Sequence, residues 1–180
     1  MDPANGAFPD LKDFNNLLFN SATGFNQVKE FDDKLGFWYA GASGDIDNDG
    51  DLDVVMFNFH VASNGVKNQI LWNDGAGNFT YDSTGMGDIS IVDQAEFRDV
   101  NRDGYLDLVI DHIDTQSTRT PTVSVMWGNG LGYSLANATQ FNLGSDAYLC
   151  NICFADLNAD NLDENKGQSY SIWIMKKQCL

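Results

Sequence analysis

Asp45-Ile46-Asp47-Asn48-Asp49-Gly50-Asp51-Leu52-Asp53 runs straight into Val54-Val55-Met56-Phe57. Five aspartates in nine residues are followed at once by four apolar residues. Carboxylates this close repel one another, so the cluster by itself costs stability. A hard cation reverses that cost, because Ca²⁺ takes about six to eight oxygens from carboxylates, carbonyls and water. Positions 1, 3 and 5 of the stretch turn side-chain oxygens toward one centre. Gly50 at position 6 permits the positive φ that wraps the chain around it. Position 7 offers its carbonyl, and position 9 returns a carboxylate. The apolar run that follows is short, largely β-branched and bounded by turn residues, which predicts a strand buried on both faces.

The pattern recurs. Asp99-Val100-Asn101-Arg102-Asp103-Gly104-Tyr105-Leu106-Asp107 begins 54 residues later, and Asp156-Leu157-Asn158-Ala159-Asp160-Asn161-Leu162-Asp163-Glu164 begins 57 after that. The shared form is D-x-[DN]-x-D-G-x-x-[DE], with Asn161 in place of the third glycine. Nearly half of the 26 acidic residues lie in these windows, so the net charge of −16 is organised rather than diffuse. A fixed period of this size marks a repeat architecture. An EF-hand needs a Glu at position 12 and flanking helices. Position 12 here is Met56 or Ile110, inside a strand-like run. Zinc wants His or Cys, and the loops contain neither. Mg²⁺ fits less well, since it demands a tighter octahedron and keeps its waters.

A second element keeps step with the loops. Ile70-Leu71-Trp72-Asn73-Asp74-Gly75-Ala76-Gly77-Asn78-Phe79 reads as strand, glycine turn, strand, and Val125–Tyr133 reads the same way. Leu17–Phe25 is a further copy, and Ser171-Ile172-Trp173-Ile174-Met175 reads as the opening strand of another. The anchors Phe19, Trp72 and Trp127 are spaced 53 and 55 apart, but Trp173 follows after only 46. Each unit is thus a four-stranded antiparallel sheet that buries little alone and must stack on its neighbours. Radial stacking of such sheets gives a β-propeller, usually of about four to eight blades.

Loop, buried strand and aromatic-plus-glycine hairpin, in that order, resemble the FG-GAP/VCBS repeat, the blade unit of integrin α-subunit propellers and of many bacterial extracellular proteins. The resemblance covers roughly residues 15–175 in pieces. It implies an all-β chain of β-propeller-type blades, a partial or open propeller of about three blades. Residues 1–36 would hold a hairpin from a partial blade, 37–90 the first repeat, 91–147 the second and 148–180 a truncated, degenerate third. It also implies two to three structural Ca²⁺ ions. Carried over position by position, the ligands are Asp45, Asp47, Asp49 and Asp53, with the carbonyl of Asp51. In the second loop they are Asp99, Asn101, Asp103 and Asp107, with the carbonyl of Tyr105. In the third they are Asp156, Asn158, Asp160 and Glu164, with the carbonyl of Leu162. The third loop departs from the family at Asn161 and again after Glu164, where Asn-Lys-Gly-Gln stands in place of a buried strand.

The rest of the sequence narrows the function. Ten Lys+Arg against 26 Asp+Glu argue against a nucleic-acid binder, which needs cations to displace counterions from phosphates. The same balance disfavours an anionic membrane surface. No apolar run approaches the roughly 20 residues that span a bilayer, and the first residues, Met1–Gly6, lack the basic and apolar regions of a signal peptide. Three cysteines are too few for a disulfide scaffold. Cys150-Asn151-Ile152-Cys153 falls in a predicted strand, where buried thiols are expected, with a disulfide as the alternative, rather than redox chemistry. His60 and His112 follow buried strands and read as satisfied or surface residues. Asn78-Phe79-Thr80 and Asn137-Ala138-Thr139 match glycosylation acceptors, which matter only in a secretory eukaryote.

The expected function is a non-enzymatic, calcium-stabilised module for adhesion or recognition, extracellular or at the cell surface, with a protein or glycan ligand. Extracellular calcium modules bind at about 10⁻⁴–10⁻³ M, which suits that location. One alternative is a carbohydrate-binding propeller in which Trp38, Tyr39 and Tyr148 stack on sugars, although the strand before each loop equally suits core packing. Another is a non-catalytic part of a larger propeller enzyme. Three units do not close a ring. Either the chain belongs to a larger propeller, or the hairpin at about Leu17–Val28 completes the last unit, in this chain or in a neighbouring one as a homo-oligomer.

Overall fold

The computed structural model describes residues 16–30, 38–59, 66–89, 91–114, 120–144, 148–155 and 171–177. These residues form strands and one short 3-10 turn at Leu135–Asn137, with no α-helix among them. Strands β1 (Asn16–Ser21) and β2 (Gly24–Glu30) make a hairpin. Strands β3 (Trp38–Gly44), β4 (Asp53–Asn58), β5 (Gln69–Asn73) and β6 (Phe79–Asp82) form an antiparallel meander, unit 1. Strands β7 (Val92–Arg98), β8 (Asp107–Asp114), β9 (Thr120–Met126) and β10 (Thr139–Asn142) form a second, unit 2. Strands β11 (Tyr148–Ala155) and β12 (Ser171–Lys177) pair as unit 3. The protein is all-β, with two complete four-stranded antiparallel sheets of the propeller-blade type.

The units repeat in register as well as in order. Gly44 stands opposite Asp53 across the first acidic loop, and Arg98 opposite Asp107 across the second. Both first strands carry a one-residue bulge at the same place, after Trp38 and after Val92. First strands then lie side by side, β3 against β7 and β7 against β11.

Two expectations need correction. The spacing predicts that Ser171–Met175 opens an outer hairpin, but β12 pairs directly with β11, and Ala155 stands opposite Ser171. That is the place of β4 and β8, the second strand of a unit. Trp173 sits opposite Cys153, where Val55 and Val109 stand in the other units, so its 46-residue spacing has a simple cause. The residue that faces the end of β11 is therefore Ser171, not Glu164, which with the rest of the third loop lies outside the described residues. The second correction concerns Tyr133. It does not begin a return strand, because β10 starts at Thr139. The connection after β9 crosses toward unit 1, where Leu135 N donates to the Gly85 carbonyl at 3.3 Å. Tyr133 is drawn into the core on the way, its hydroxyl donating to the Leu106 carbonyl at 2.6 Å.

The central strands of unit 2, β8 and β9, are buried on both faces, which is why Leu108-Val109-Ile110 reads as an unbroken apolar run. Every residue of β9 is buried. Leu108, Ile110 and Met126 join Val55, Phe57 and Ile70 of unit 1 in one cluster. Val109, Val123 and Val125 join Ile152 of unit 3 in another, with Phe154 packed against it. Successive side chains alternate between the two clusters, as the strand period of two requires. Each fully buried Val, Leu, Ile or Phe contributes about 1.5–3 kcal/mol relative to exposure. His112 is buried in β8 with its Nε2 2.8 Å from Ser124 Oγ, which makes it a satisfied core histidine.

Asp111 breaks the apolar pattern. It occupies the register position that Phe57 holds in unit 1, and it is 1% exposed. One carboxylate oxygen accepts from Gln94 N, while Oδ2 has no hydrogen-bond partner. Burial, reinforced by the nearby Asp93 charge, pushes the group up to about 6. The folded state therefore holds this proton more tightly than the unfolded chain. The resulting stability is fully present below the ordinary aspartate value and is lost as pH rises through about 6. Asp111→Asn is expected to raise stability at pH 7.5 by up to about 3 kcal/mol and to have little effect at pH 4. Urea midpoints at the two pH values check this, and an equal gain at both would show that the buried charge is not the cause. Gln94 makes the matching polar contact to unit 3: its Oε1 accepts from Ile152 N at 2.6 Å and its Nε2 donates to the Ile152 carbonyl at 3.2 Å. The side-chain amide thus pairs with β11 as a backbone peptide would.

Candidate metal centre

The first acidic loop folds on itself through its own side chains. Asp45 Oδ2 accepts from Gly50 N at 3.1 Å, Asp47 Oδ1 from Asp49 N at 3.2 Å, and Asp49 Oδ1 from Asp51 N at 2.9 Å. Short side chains that accept from backbone two residues ahead are the usual grammar of Asp-rich turns. Two residues have left-handed backbone, Gly50 at φ +96° and Asn48 at φ +63°. The glycine is legible in the sequence; the bend at position 4 is a finding of the structure, where Asn tolerates φ > 0 better than most residues.

This winding brings carboxylate oxygens of Asp45, Asp47 and Asp49 within 4.8 Å of one another. Asp45 Oδ1 is buried and has no hydrogen-bond partner. A buried carboxylate oxygen without a donor is costly unless something else supplies positive charge. The donor set is all oxygen, which fits a hard cation such as Ca²⁺.

Asp53 is placed differently from the other three. It is 1% exposed, and both of its oxygens accept from backbone: Oδ2 from Ile46 N at 3.1 Å and Oδ1 from Asn73 N at 2.9 Å. Burial pushes its pKa up first; the two backbone donors pull it down, and Asp47 and Asp49 add to the rise. Asp53 therefore ties the start of the loop to the outer hairpin. Position 7 turns away as well. The Asp51 carboxylate lies against the backbone of Gly75 in the β5–β6 turn, where a Cβ would collide with it.

The second loop repeats these contacts. Asp99 Oδ2 accepts from Gly104 N at 3.0 Å and Oδ1 from Asp103 N at 3.1 Å. Asn101 Oδ1 also accepts from Asp103 N, at 2.9 Å, and Asp103 Oδ1 accepts from Tyr105 N at 2.9 Å. Arg102 and Gly104 take the left-handed places, at φ +63° and +91°. Asp107 is fully buried and braces Val100 N at 2.8 Å and Gly128 N at 2.9 Å, as Asp53 braces Ile46 and Asn73. The Tyr105 ring lies on Gly130, as Asp51 lies on Gly75. One difference is chemical. Asn101 Nδ2 donates to Asp103 Oδ2 at 2.9 Å, so this loop quiets its own charge in part.

The loops of units 1 and 2 touch. Asn48 Nδ2 donates to the Gly104 carbonyl at 3.0 Å. Gly44, just before the first loop, packs so closely on Leu106 and Phe97 that a Cβ would stand 2.7 Å from Leu106 Cδ1. Ordering one loop therefore bears directly on its neighbour. Sequence reading did not find Asn48, Asn73 or Gly128 as parts of the site. Asn73 and Gly128 do stand at one repeat's spacing, which is the signal that marks them.

Of the aromatic residues considered for sugar contact, Tyr39 is 54% exposed with its ring 5.1 Å from that of Phe59, and Trp38 is half-buried. The side chains of Tyr148, Cys150 and Cys153, and the whole of His60, lie outside what is described.

Comparison with known proteins adds one match. The FG-GAP-like repeat family matches residues 45–110, from the first position of loop 1 into the buried strand after loop 2. No curated protein and no solved structure matches the chain. Loop chemistry, strand order and family match coincide on the same residues, and this chain carries an FG-GAP-like repeat across residues 45–110.

Proposed function

We propose that the chain is a calcium-stabilised, non-enzymatic propeller module that presents a recognition surface to a protein or glycan outside the cell. The observation that carries this reading is the gathering of Asp45, Asp47 and Asp49 carboxylate oxygens within 4.8 Å of one another, together with a buried Asp45 oxygen that has no hydrogen-bond partner. A bound calcium ion supplies the positive charge that this cluster lacks. The carbonyls of Asp51 and Tyr105 complete the two cages, and Asp99, Asn101 and Asp103 form the second. The third loop, with Asp156, Asn158 and Asp160, adds a further ion. The recognition role follows from rigidity, since ordered loops hold adjacent units in register through contacts such as Asn48 to Gly104.

Calcium at about 100 times its dissociation constant adds about 2.7 kcal/mol per site. For a chain of this size that is a rise in melting temperature of roughly 5–10 °C. The test is a melting curve in CaCl₂, MgCl₂ and EDTA for the wild type and Asp45→Asn. The expected result is a gain in CaCl₂ alone, largely lost in the variant. Identical melting in CaCl₂ and EDTA would remove the basis of the proposal.

A further inference from the structure

We propose that the cleft between the end of unit 1 and the β9–β10 connection binds one ring of a neutral saccharide, with Trp127 as its stacking platform; the site deepens the recognition role proposed above and rests on that reading.

The cleft is assembled from two units. Thr84 and Gly85 follow β6, and the rest of the lining comes from residues 127–137, after β9. Backbone holds the two walls together. Leu135 N donates to the Gly85 carbonyl at 3.3 Å, and Gly85 approaches the Tyr133 carbonyl oxygen so closely that a Cβ would fall on it. Tyr133 is 4% exposed, and its hydroxyl is engaged by the Leu106 carbonyl. Trp127 is 36% exposed, and its Nε1 donates to Thr139 Oγ1 at 3.2 Å, which fixes the ring. The site is therefore formed before a ligand arrives, and little ordering entropy opposes binding.

The chemistry of the lining selects the ligand class. It contains no charged side chain, although the chain carries a net charge of −16. A phosphate would meet no cation there, and a metal ion no carboxylate. The cleft offers uncharged polarity around an indole instead. Asn129 Oδ1 accepts from Leu131 N at 2.9 Å, which leaves its Nδ2 as a donor. Thr84 Oγ1 donates to Asp82 Oδ1 at 2.7 Å and keeps its lone pairs as acceptors. Ser134 makes no side-chain capping bond to the 3-10 turn, so its hydroxyl is available in either role, and the exposed Asn137 amide serves both. A pyranose matches this set. Its C–H face lies on an aromatic ring, and its rim of hydroxyls both donates and accepts. The volume, about 180 Å³, falls below the roughly 300 Å³ at which pockets begin to enclose drug-sized ligands. It takes one ring and leaves the remainder of a longer glycan outside. An extended peptide would need a free sheet edge or a longer groove.

The test is saturation-transfer difference NMR on protein made in bacteria, since Asn137-Ala138-Thr139 is a glycosylation acceptor sequence. Glucose, galactose, mannose and N-acetylglucosamine are each titrated through the millimolar range, where a single small ring binds an open site. Glycerol is the control. The expected result is transfer to the ring protons of at least one sugar, with glycerol silent. Trp127→Ala should abolish the signal. Trp127→Phe keeps a ring, should retain part of the signal, and covers the case in which Trp127→Ala fails to fold. Asn137→Ala, at an exposed side chain, should weaken binding by about threefold or more with the melting temperature unchanged. Silence from all four sugars overturns the proposal. So does a signal shared by glycerol, or one undiminished in both Asn137→Ala and Trp127→Phe. The melting curves in CaCl₂ and EDTA read the calcium cage separately, so a retained calcium gain without a sugar signal strikes the cleft alone.

Discussion

Asp53→Ala is expected to destabilise the protein by about 2–5 kcal/mol in calcium and in EDTA alike. The side chain holds two backbone N–H groups from different parts of unit 1, Ile46 at the head of the loop and Asn73 at the start of the hairpin turn. Removing it leaves both without their acceptor in a region that excludes water, and each orphaned donor costs about 1–3 kcal/mol. The melting temperature should fall by roughly 5–15 °C. Asp45→Ala provides the contrast. Its oxygens serve the exposed Gly50 N and the carboxylate cluster, so its loss should appear in calcium and largely vanish in EDTA. A change in Asp53→Ala confined to the calcium buffer would show that the residue acts as a ligand and not as a brace. Asp107→Ala tests the same logic in unit 2, where the braced groups are Val100 and Gly128.

Gly128→Ala is the second substitution with a large expected effect. Its backbone is not left-handed, so the obstacle is steric: a Cβ there falls on the Leu106 carbonyl oxygen. Two backbone segments cannot give way as a flexible side chain does. The same residue donates its N–H to Asp107, and Leu106 accepts the Tyr133 hydroxyl. Displacing Gly128 thus disturbs the loop brace and the tyrosine anchor together, for a loss of about 3 kcal/mol or more by urea unfolding. Combined with Asp107→Ala, the total should fall well short of the two single losses added, because both act on one network. Gly144→Ala is the control. It meets nothing within 4 Å and carries only the strain of φ +86°, about 1 kcal/mol. If Gly128→Ala cost no more than Gly144→Ala, the close approach of Gly128 to Leu106 would not be a feature of the folded protein.

Some of this was readable from residue order alone. Asp45–Asp53 and Asp99–Asp107 announce themselves because loop chemistry is local. Spacing of carboxylates, a glycine at position 6 and the strand-like run after position 9 all lie within a dozen residues. The hairpin at Trp72 is legible for the same reason, whereas the strand after Trp127 returns only at Thr139, beyond the predicted turn. The role of Asp53 was not, because its partner Asn73 lies 20 residues away and is met only when β5 pairs with β4. Ser171–Lys177 misled the reading because an apolar strand with a tryptophan looks alike whether it is the second or third of a blade. Only pairing with β11 distinguishes the two.

Composition, period and local turn chemistry fixed by themselves an all-β repeat with acidic loops, since those follow from contacts between near neighbours in the chain. Tertiary structure alone decided which aspartates gather around one point and which turn inward to hold the backbone. It also decided that β12 is the second strand of unit 3. Those are outcomes of long-range register, where one residue's displacement sends a side chain to the opposite face and no short stretch of sequence records the choice.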